Sequence, residues 1–261
     1  MSEFSTVWSE LEKRFRRQAA KEGGVYLPNP KPSDRVDHIL IAMEPSLGFA
    51  RGDDPDSLRQ NAQRKINSRQ QNFLYSMEDF LLHYAVRKYL CAGGETYHVT
   101  DVCKTAMRVK DAQRNRFKRY DPWYPLLEDE ISLVSKPCAS IWAIGLTLRK
   151  YLPCLRLPQE RFILHYGAQA GAARLEATGG RESVKFQSYL ESEKVSLEDV
   201  LKIAEIVLDG YHVPDPLKSE TLKRLGKTKQ LSPSRLRLLF HYSTKFKTER
   251  QEWCPTIFLA Q

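Results

Sequence analysis

The segment 39–48 constrains the fold most, because its apolar run ends abruptly in Glu44, Pro45 and, three residues later, Gly48. A short apolar run of this kind is typical of a parallel strand with both faces covered. Pro45 has no N–H to offer a neighbouring strand, so the strand must end before it. Open α/β sheets bind ligands at the carboxyl ends of their strands, which is where Glu44 is predicted. The alternative is a glutamate that only caps a helix or faces water.

Three further strands are predicted, at 96–102, 140–145 and 161–165. Between and around them the apolar spacing predicts helices at 4–21, 73–90 and 122–133. Strands that alternate with helices favour a parallel sheet with helices on both faces. The predicted fold class is α/β: a three-layer α/β/α sandwich with a central four-stranded parallel sheet, plus a helical C-terminal extension.

The pattern changes at about residue 176, beyond which no strand is predicted. Ser196 is placed to cap a helix that ends at Gly210, and a basic helix follows around 235–247. The predicted domains are therefore an α/β/α domain over residues 1–176 and a helical, basic extension over 177–261 that packs on it.

The charge of the chain indicates a polyanionic partner. The sequence has 41 basic and 32 acidic residues, which gives a net charge of +9. Nucleic acid is the commonest partner of such a chain. No apolar run approaches the length of a membrane span, and no signal-peptide core is present. The five cysteines never form C-x-x-C, which favours reduced thiols. A cytoplasmic monomer that binds DNA and no membrane is expected.

Polar side chains end three of the predicted strands: Glu44, Asp101 and His165. Four segments around these ends resemble, in order, the motifs of the uracil-DNA glycosylase superfamily. The segments are Met43–Gly48, Tyr97–Lys104, Ile144–Gly145, and His165–Ala168 followed by Arg174. The resemblance covers roughly residues 37–175 and leaves the C-terminal helices uncovered.

The resemblance implies an enzyme that flips a nucleotide out of the duplex and hydrolyses its N-glycosidic bond. Glu44 would stabilise the positively charged sugar or activate water, and His165 would donate to the oxygen on C2 of the leaving base. Phe73 would stack on the flipped base. The alternatives are an ordinary core aromatic for Phe73 and a structural histidine for His165.

Two departures from the superfamily pattern concern the base. Asp101 stands where uracil-specific members carry Asn, and a carboxylate suits the exocyclic amine of cytosine but repels O4 of uracil. If burial protonates Asp101, it can also donate to N3 of cytosine. Ser46 replaces a tyrosine that crowds carbon 5, so a C5 substituent would fit. Base recognition is assigned to Asp101, Phe73, Ser46 and Met43.

The basic segment 104–119 is predicted to position DNA by its phosphates, and its alternative is a solvated loop. In the closing loop, Gln169 would fill the gap left by the flipped nucleotide and Arg174 would bind a phosphate. The predicted DNA-binding residues are Lys104, Arg108, Arg114, Arg116, Gln169 and Arg174. The iron–sulfur branches of the superfamily have a cysteine where Thr105 stands, so no cofactor and no metal are expected.

The resulting hypothesis is a monofunctional DNA glycosylase that excises a cytosine-derived, C5-modified base of the phage type and leaves an abasic site. Some members of the superfamily act against phage, and the resemblance extends that role to this chain. Two alternatives stay open: a uracil- or mismatch-specific glycosylase of base excision repair, and a DNA-binding relative without catalysis.

Overall fold

A computed structural model gives the fold of the chain. It describes residues 3–45, 60, 63, 66–67, 70–106, 114–152, 161–167 and 170–252. The strands are β1 (Val25–Tyr26), β2 (Val36–Ala42), β3 (Tyr97–Asp101), β4 (Thr105–Ala106), β5 (Ser135–Ile144) and β6 (Phe162–Ile163). The helices are α1 (Glu3–Lys21), α2 (Met77–Ala85), α3 (Arg116–Tyr120), α4 (Tyr124–Val134), α5 (Leu146–Tyr151), α6 (Gly171–Ala177), α7 (Val184–Glu193), α8 (Leu197–Gly210), α9 (Asp215–Leu225) and α10 (Pro233–Glu252), with a π-helical turn at Val86–Leu90.

The chain divides into two compact units. The first comprises residues 1–75 and 96–159, and the second comprises residues 76–95 and 160–261. Neither unit is continuous in sequence, since the second takes in a helical segment from the middle of the chain. The predicted division at residue 176 stays a prediction.

The first unit is built on a parallel sheet in which β2 lies between β3 and β5. Ile39, Leu40 and Ile41 of β2 are fully buried, as expected of a strand covered on both faces. Ala42 pairs with Asp101, so β2 and β3 reach the same edge of the sheet together. The α/β class and the parallel sheet predicted from the sequence are therefore present.

The first helix supplies part of the cover of this unit. α1 buries Trp8, Leu11 and Phe15, which recur at the spacing of one helical face. It packs against α4, and the rings of Phe15 and Trp123 stack with centroids 6.3 Å apart. The prediction of an opening helix at 4–21 is confirmed.

The predicted starts of two elements, β5 and α2, were wrong. β5 starts at Ser135, five residues before the predicted start, because α4 ends at Val134 and the chain extends at once. The predicted helix 73–90 starts only at Met77, since Ser76 and Asp79 form a capping box there. Its last turn is the π-helix Val86–Leu90.

The second unit is helical apart from β6. α8 begins with the predicted cap at Ser196, whose side chain accepts from the backbone of Asp199 while the Asp199 carboxylate accepts in return. The predicted basic helix is present as α10. The predicted strand 161–165 is shorter, and β6 ends at Ile163. In the part of the chain that the structure describes, no helix combines the length and apolarity needed to cross a bilayer.

Candidate functional site

Two acidic side chains lie at the edge of the first unit's parallel sheet where the strands have their C-terminal ends. Asp101 is the last residue of β3, and Glu44 follows the end of β2 by two residues. The pairing continues past the strand ends, since Val102 N–H donates to the carbonyl of Ala42 at 2.9 Å. Cys103 N–H donates to the carbonyl of Met43 at 3.1 Å. The structure therefore brings Glu44 and Asp101 to the same edge, as the sequence predicts.

Two side-chain amides donate hydrogen bonds to one carboxyl oxygen of Asp101, a residue that is only 1% exposed. Asn72 Nδ2 donates to Oδ2 at 2.7 Å. Asn29, with its amide oriented by its hydrogen-bond partners, donates to the same oxygen at 2.8 Å and accepts from the Asp101 N–H at 2.9 Å. Among the residues that the structure describes, Oδ1 of Asp101 has no hydrogen-bond partner.

The surroundings of Asp101 favour its protonated form. Burial raises the pKa of Asp101 to about 8, against the attraction of Lys104 and the hydrogen bond from Asn72. The carboxylates of Glu44 and Glu130 raise this pKa further. The burial of Asp101 therefore favours the neutral acid, which can donate a hydrogen bond.

Glu44 is held by three side chains of α3. Arg116 Nη2 lies 2.8 Å from Oε1, Arg119 Nη2 lies 3.4 Å from Oε2, and the Tyr120 hydroxyl donates to Oε2. The spacing i, i+3, i+4 puts all three on one face of the short helix. The Glu44 side chain is only 5% exposed, so these contacts replace much of its hydration. Burial and the Glu44 carboxylate raise the pKa of Tyr120, so its hydroxyl stays a donor.

Lys104, predicted to bind DNA, lies in the interior with 1% exposure. Its ammonium pairs with Glu130 Oε2 at 2.7 Å and donates to Thr100 Oγ1 at 2.7 Å and to the Asp101 carbonyl at 2.9 Å. Burial opposes ionisation of Glu130, but Lys104 and a hydrogen bond from His98 outweigh it and lower the pKa of Glu130 to about 2. A phosphate contact by Lys104 would require this buried ion pair to open.

The second unit contains His165, and a backbone group defines the tautomer of its imidazole. Gly167 N–H donates to Nδ1 at 2.8 Å, so Nδ1 is unprotonated and Nε2 carries the proton of the neutral ring. The ring stacks on Tyr166 with centroids 4.4 Å apart. Arg174 Nη1 donates to the carbonyl oxygens of His165 at 2.5 Å and of Gly167 at 2.9 Å. Arg174 thus holds this loop, and its role at a DNA phosphate stays a prediction.

Phe73 combines deep burial with an unusual backbone. Its residue is 1% exposed, and its φ of +61° lies in the left-handed region, which bulky residues rarely adopt. The preceding residue, Asn72, carries one of the two amides on Asp101 and donates its N–H to the Pro28 carbonyl at 2.8 Å. The turn at Phe73 therefore helps to place an amide at the site, and base stacking by the ring stays a prediction.

The remaining predicted residues are placed unevenly. Met43 is half-buried beside Glu44, and Arg114 is exposed. Ser46, Arg108 and Gln169 lie outside the described residues, and their roles stay predictions. Four residues that contact the two carboxyl groups were not predicted as site residues: Asn29, Asn72, Arg119 and Tyr120.

Only weak sequence signals mark these four. Asn29 lies between two prolines, and Asn72 directly precedes the predicted stacking aromatic. The R-x-x-R-Y spacing of 116–120 indicates one helical face but names no partner. Across the described ranges, no group of three His, Cys, Asp or Glu side chains is arranged to hold a metal ion.

Fold and site together define an α/β protein whose parallel sheet presents two buried carboxyl groups, Glu44 and Asp101, at one edge. No protein-family model, no curated protein and no solved structure matches the chain. The proposed function therefore rests on the chemistry of the site.

Proposed function

We propose that this protein is a monofunctional DNA glycosylase that hydrolyses the N-glycosidic bond of a cytosine-derived, C5-modified base. The observation that carries the proposal is the placement of Asp101, a buried carboxyl group at the sheet edge with one oxygen held by two amides. The three-layer α/β/α arrangement expected of the superfamily is part of the same proposal. So is the role against modified phage DNA.

Asp101 offers a base one oxygen atom that can donate or accept a hydrogen bond, depending on its protonation. Because Oδ2 already accepts from Asn29 and Asn72, the ligand contact falls to Oδ1. In the protonated form Oδ1 donates to N3 of cytosine, whereas the N3–H of uracil in that place would oppose it. In the ionised form Oδ1 accepts from the exocyclic amine of cytosine. Both protonation states therefore have a partner on the same edge of cytosine.

Glu44 is the proposed catalytic carboxylate. In the reaction the bond between C1′ and the base nitrogen breaks, water adds to C1′, and the proton that this water loses must be accepted. An ionised carboxylate can accept it and stabilise the positive sugar. A carboxylate has about four lone-pair directions, and Arg116, Arg119 and Tyr120 use three, which leaves one on Oε1 for water. His165 belongs to the second unit, and the role that the resemblance implies for it, an N–H donor to the leaving base, stays a prediction.

The direct test measures base release. The full-length protein is incubated with duplexes that contain cytosine, 5-hydroxymethylcytosine, glucosylated hydroxymethylcytosine or uracil, and the released base is identified by mass spectrometry. Release of a modified cytosine with an intact modification is expected. Release of uracil alone would support the repair alternative and overturn the cytosine assignment.

Variants connect the activity to the site. Glu44→Gln is expected to lower base release by at least about a hundredfold while duplex binding is retained. Glu128→Gln, which changes an exposed carboxylate of the same unit, serves as the matched control. Full activity of Glu44→Gln would remove Glu44 from the mechanism.

One observation favours the alternative without catalysis. Two guanidinium groups face the single carboxylate of Glu44, so the cluster has a net positive charge that suits a phosphate more than a sugar cation. Under that alternative the protein binds duplex DNA, and no base is released from any of the duplexes.

A further inference from the structure

The strand β6 ends at Ile163 because the backbone of the next residue, Leu164, forms hydrogen bonds with side chains and not with a neighbouring strand. Leu164 N–H donates to His241 Nε2 at 3.0 Å, and the Tyr242 hydroxyl donates to the Leu164 carbonyl at 3.0 Å. Two consecutive residues of α10 thus satisfy both backbone groups of Leu164, as a neighbouring strand would. All three residues are at most 5% exposed, so water does not readily replace either bond.

The backbone on the other side of His165 is held in a similar way. Arg174, which is 4% exposed, donates from one nitrogen to the carbonyl oxygens of His165 and Gly167. The N–H of Gly167 is then the group that donates to His165 Nδ1. The imidazole therefore lies between two backbone anchors, one at Leu164 and one at Gly167.

We propose that His241, Tyr242 and Arg174 are positioning residues that fix the loop of His165 and keep its imidazole neutral with the proton on Nε2. A neutral N–H of fixed direction suits a carbonyl oxygen or a developing oxyanion, such as the oxygen on C2 of a leaving pyrimidine. This choice of ligand rests on the proposed function, whereas the positioning does not.

The proposal assigns a role to the C-terminal helix. α10 lies outside the region that resembles a known superfamily, yet it supplies both side chains that bind Leu164. The acceptor Nε2 of His241 requires an unprotonated nitrogen, and its burial beside Lys245 and Arg174 disfavours the charged form of that ring. The bond to Leu164 N–H is therefore stable at neutral pH.

The test is a spectroscopic signature of His165 in the full-length chain. Nitrogen-15 NMR distinguishes protonated from unprotonated imidazole nitrogens, and the wild type is expected to show Nδ1 unprotonated and Nε2 protonated. In Tyr242→Phe and His241→Leu the two tautomers are expected to mix, and amide exchange at Gly167 is expected to accelerate by about tenfold. His241→Gln is expected to restore the wild-type signals, because its side-chain oxygen accepts from Leu164 N–H.

Tyr189→Phe is the matched control, since it removes a buried hydroxyl of the same unit that bonds to Tyr89. The proposal is overturned if His165 in the wild type is protonated at Nδ1. It is also overturned if Tyr242→Phe and His241→Leu leave the His165 signals as unchanged as the control does. A wild-type protein that shows the signature but releases no base would overturn the proposed function and leave the positioning supported.

Discussion

Asn72 Nδ2 lies 2.7 Å from Oδ2 of Asp101, and the two residues are 29 positions apart in the chain. The Asn72 backbone is itself fixed by a bond to the Pro28 carbonyl and by the left-handed turn at Phe73. The amide is therefore held in place before any ligand binds. Because Asn72 donates to Oδ2, the proposed contact with a base falls to Oδ1 of Asp101.

Removal of the Asn72 amide is expected to shift the protonation of Asp101. The bond from Asn72 favours the charged form of the carboxyl, so Asn72→Ala should raise the pKa of Asp101 further. The lost buried hydrogen bond should lower the free energy of unfolding by about 1–2 kcal/mol. Carbon-13 NMR of the carboxyl group and urea denaturation measure the two effects. Gln187→Ala, at an exposed amide, should change neither.

Stability should fall as the pH rises over the range in which the unfolded chain has lost the proton of Asp101 while the folded protein still holds it. The pKa of Asp101 is about 8 in the fold against an ordinary value of 3.8, so its contribution is fully present below pH 4 and is lost up to pH 8. The total is on the order of a few kcal/mol. Asp101→Asn should remove this part of the pH dependence in urea denaturation from pH 5 to pH 9. Identical curves for both proteins would contradict the assigned pKa.

The position of Glu44 was predictable from the sequence because local signals determine it. An apolar run predicts a buried strand, and Pro45 ends that strand whatever its neighbours are. The partners of Glu44 were not predictable in the same way, since Arg116, Arg119 and Tyr120 lie more than 70 residues further on. Arg116 and Arg119 belong to the basic segment 104–119, which was predicted to contact phosphate and not Glu44.

Lys104 shows that the charge of a segment does not reveal which of its side chains are buried. It opens a basic segment, but its ammonium lies 4.7 Å from the centroid of the Phe15 ring and pairs with Glu130. A signal for this pair was present in α4, where Glu130 shares the apolar face with Leu126 and Val134. A glutamate on such a face predicts a buried cation, but the sequence does not say which one.

The ion pair of Lys104 and Glu130 should be costly to break and cheap to replace. Lys104→Met leaves the Glu130 carboxylate buried without its cation and should lower the free energy of unfolding by about 3–5 kcal/mol. The double variant Lys104→Met/Glu130→Leu should recover much of this loss, because no charge is then buried unpaired. Urea denaturation of both variants is the measurement. A loss in Lys104→Met as small as in the exposed control Lys118→Met would contradict the pairing.

Because His241 is buried, the free energy of unfolding should fall as the solution becomes acidic. Burial, with Lys245 and Arg174 nearby, lowers the pKa of His241 to about 4 from an ordinary 6.5, so the unfolded chain binds a proton first. The stabilisation is present above pH 6.5 and is lost as the pH falls towards 4, by about 2–3 kcal/mol in total. The unfolding free energy of the wild type minus that of His241→Gln should change by this amount between pH 7 and pH 4. A difference that is constant with pH would show that His241 does not titrate as stated.

Gly167→Ala should misplace the imidazole of His165 without disturbing the backbone angles of the loop. A Cβ at residue 167 would lie 2.9 Å from Nδ1 and 3.2 Å from Cε1 of His165, so the ring must turn away and lose its bond to the Gly167 N–H. The nitrogen-15 signals of His165 should then show mixed tautomers, and base release should fall by about tenfold or more. Gly210→Ala is the control, because a Cβ there meets no atom within 4 Å at a helix end. If Gly167→Ala keeps both the wild-type tautomer and the wild-type rate, the short approach between Gly167 and the imidazole does not orient His165.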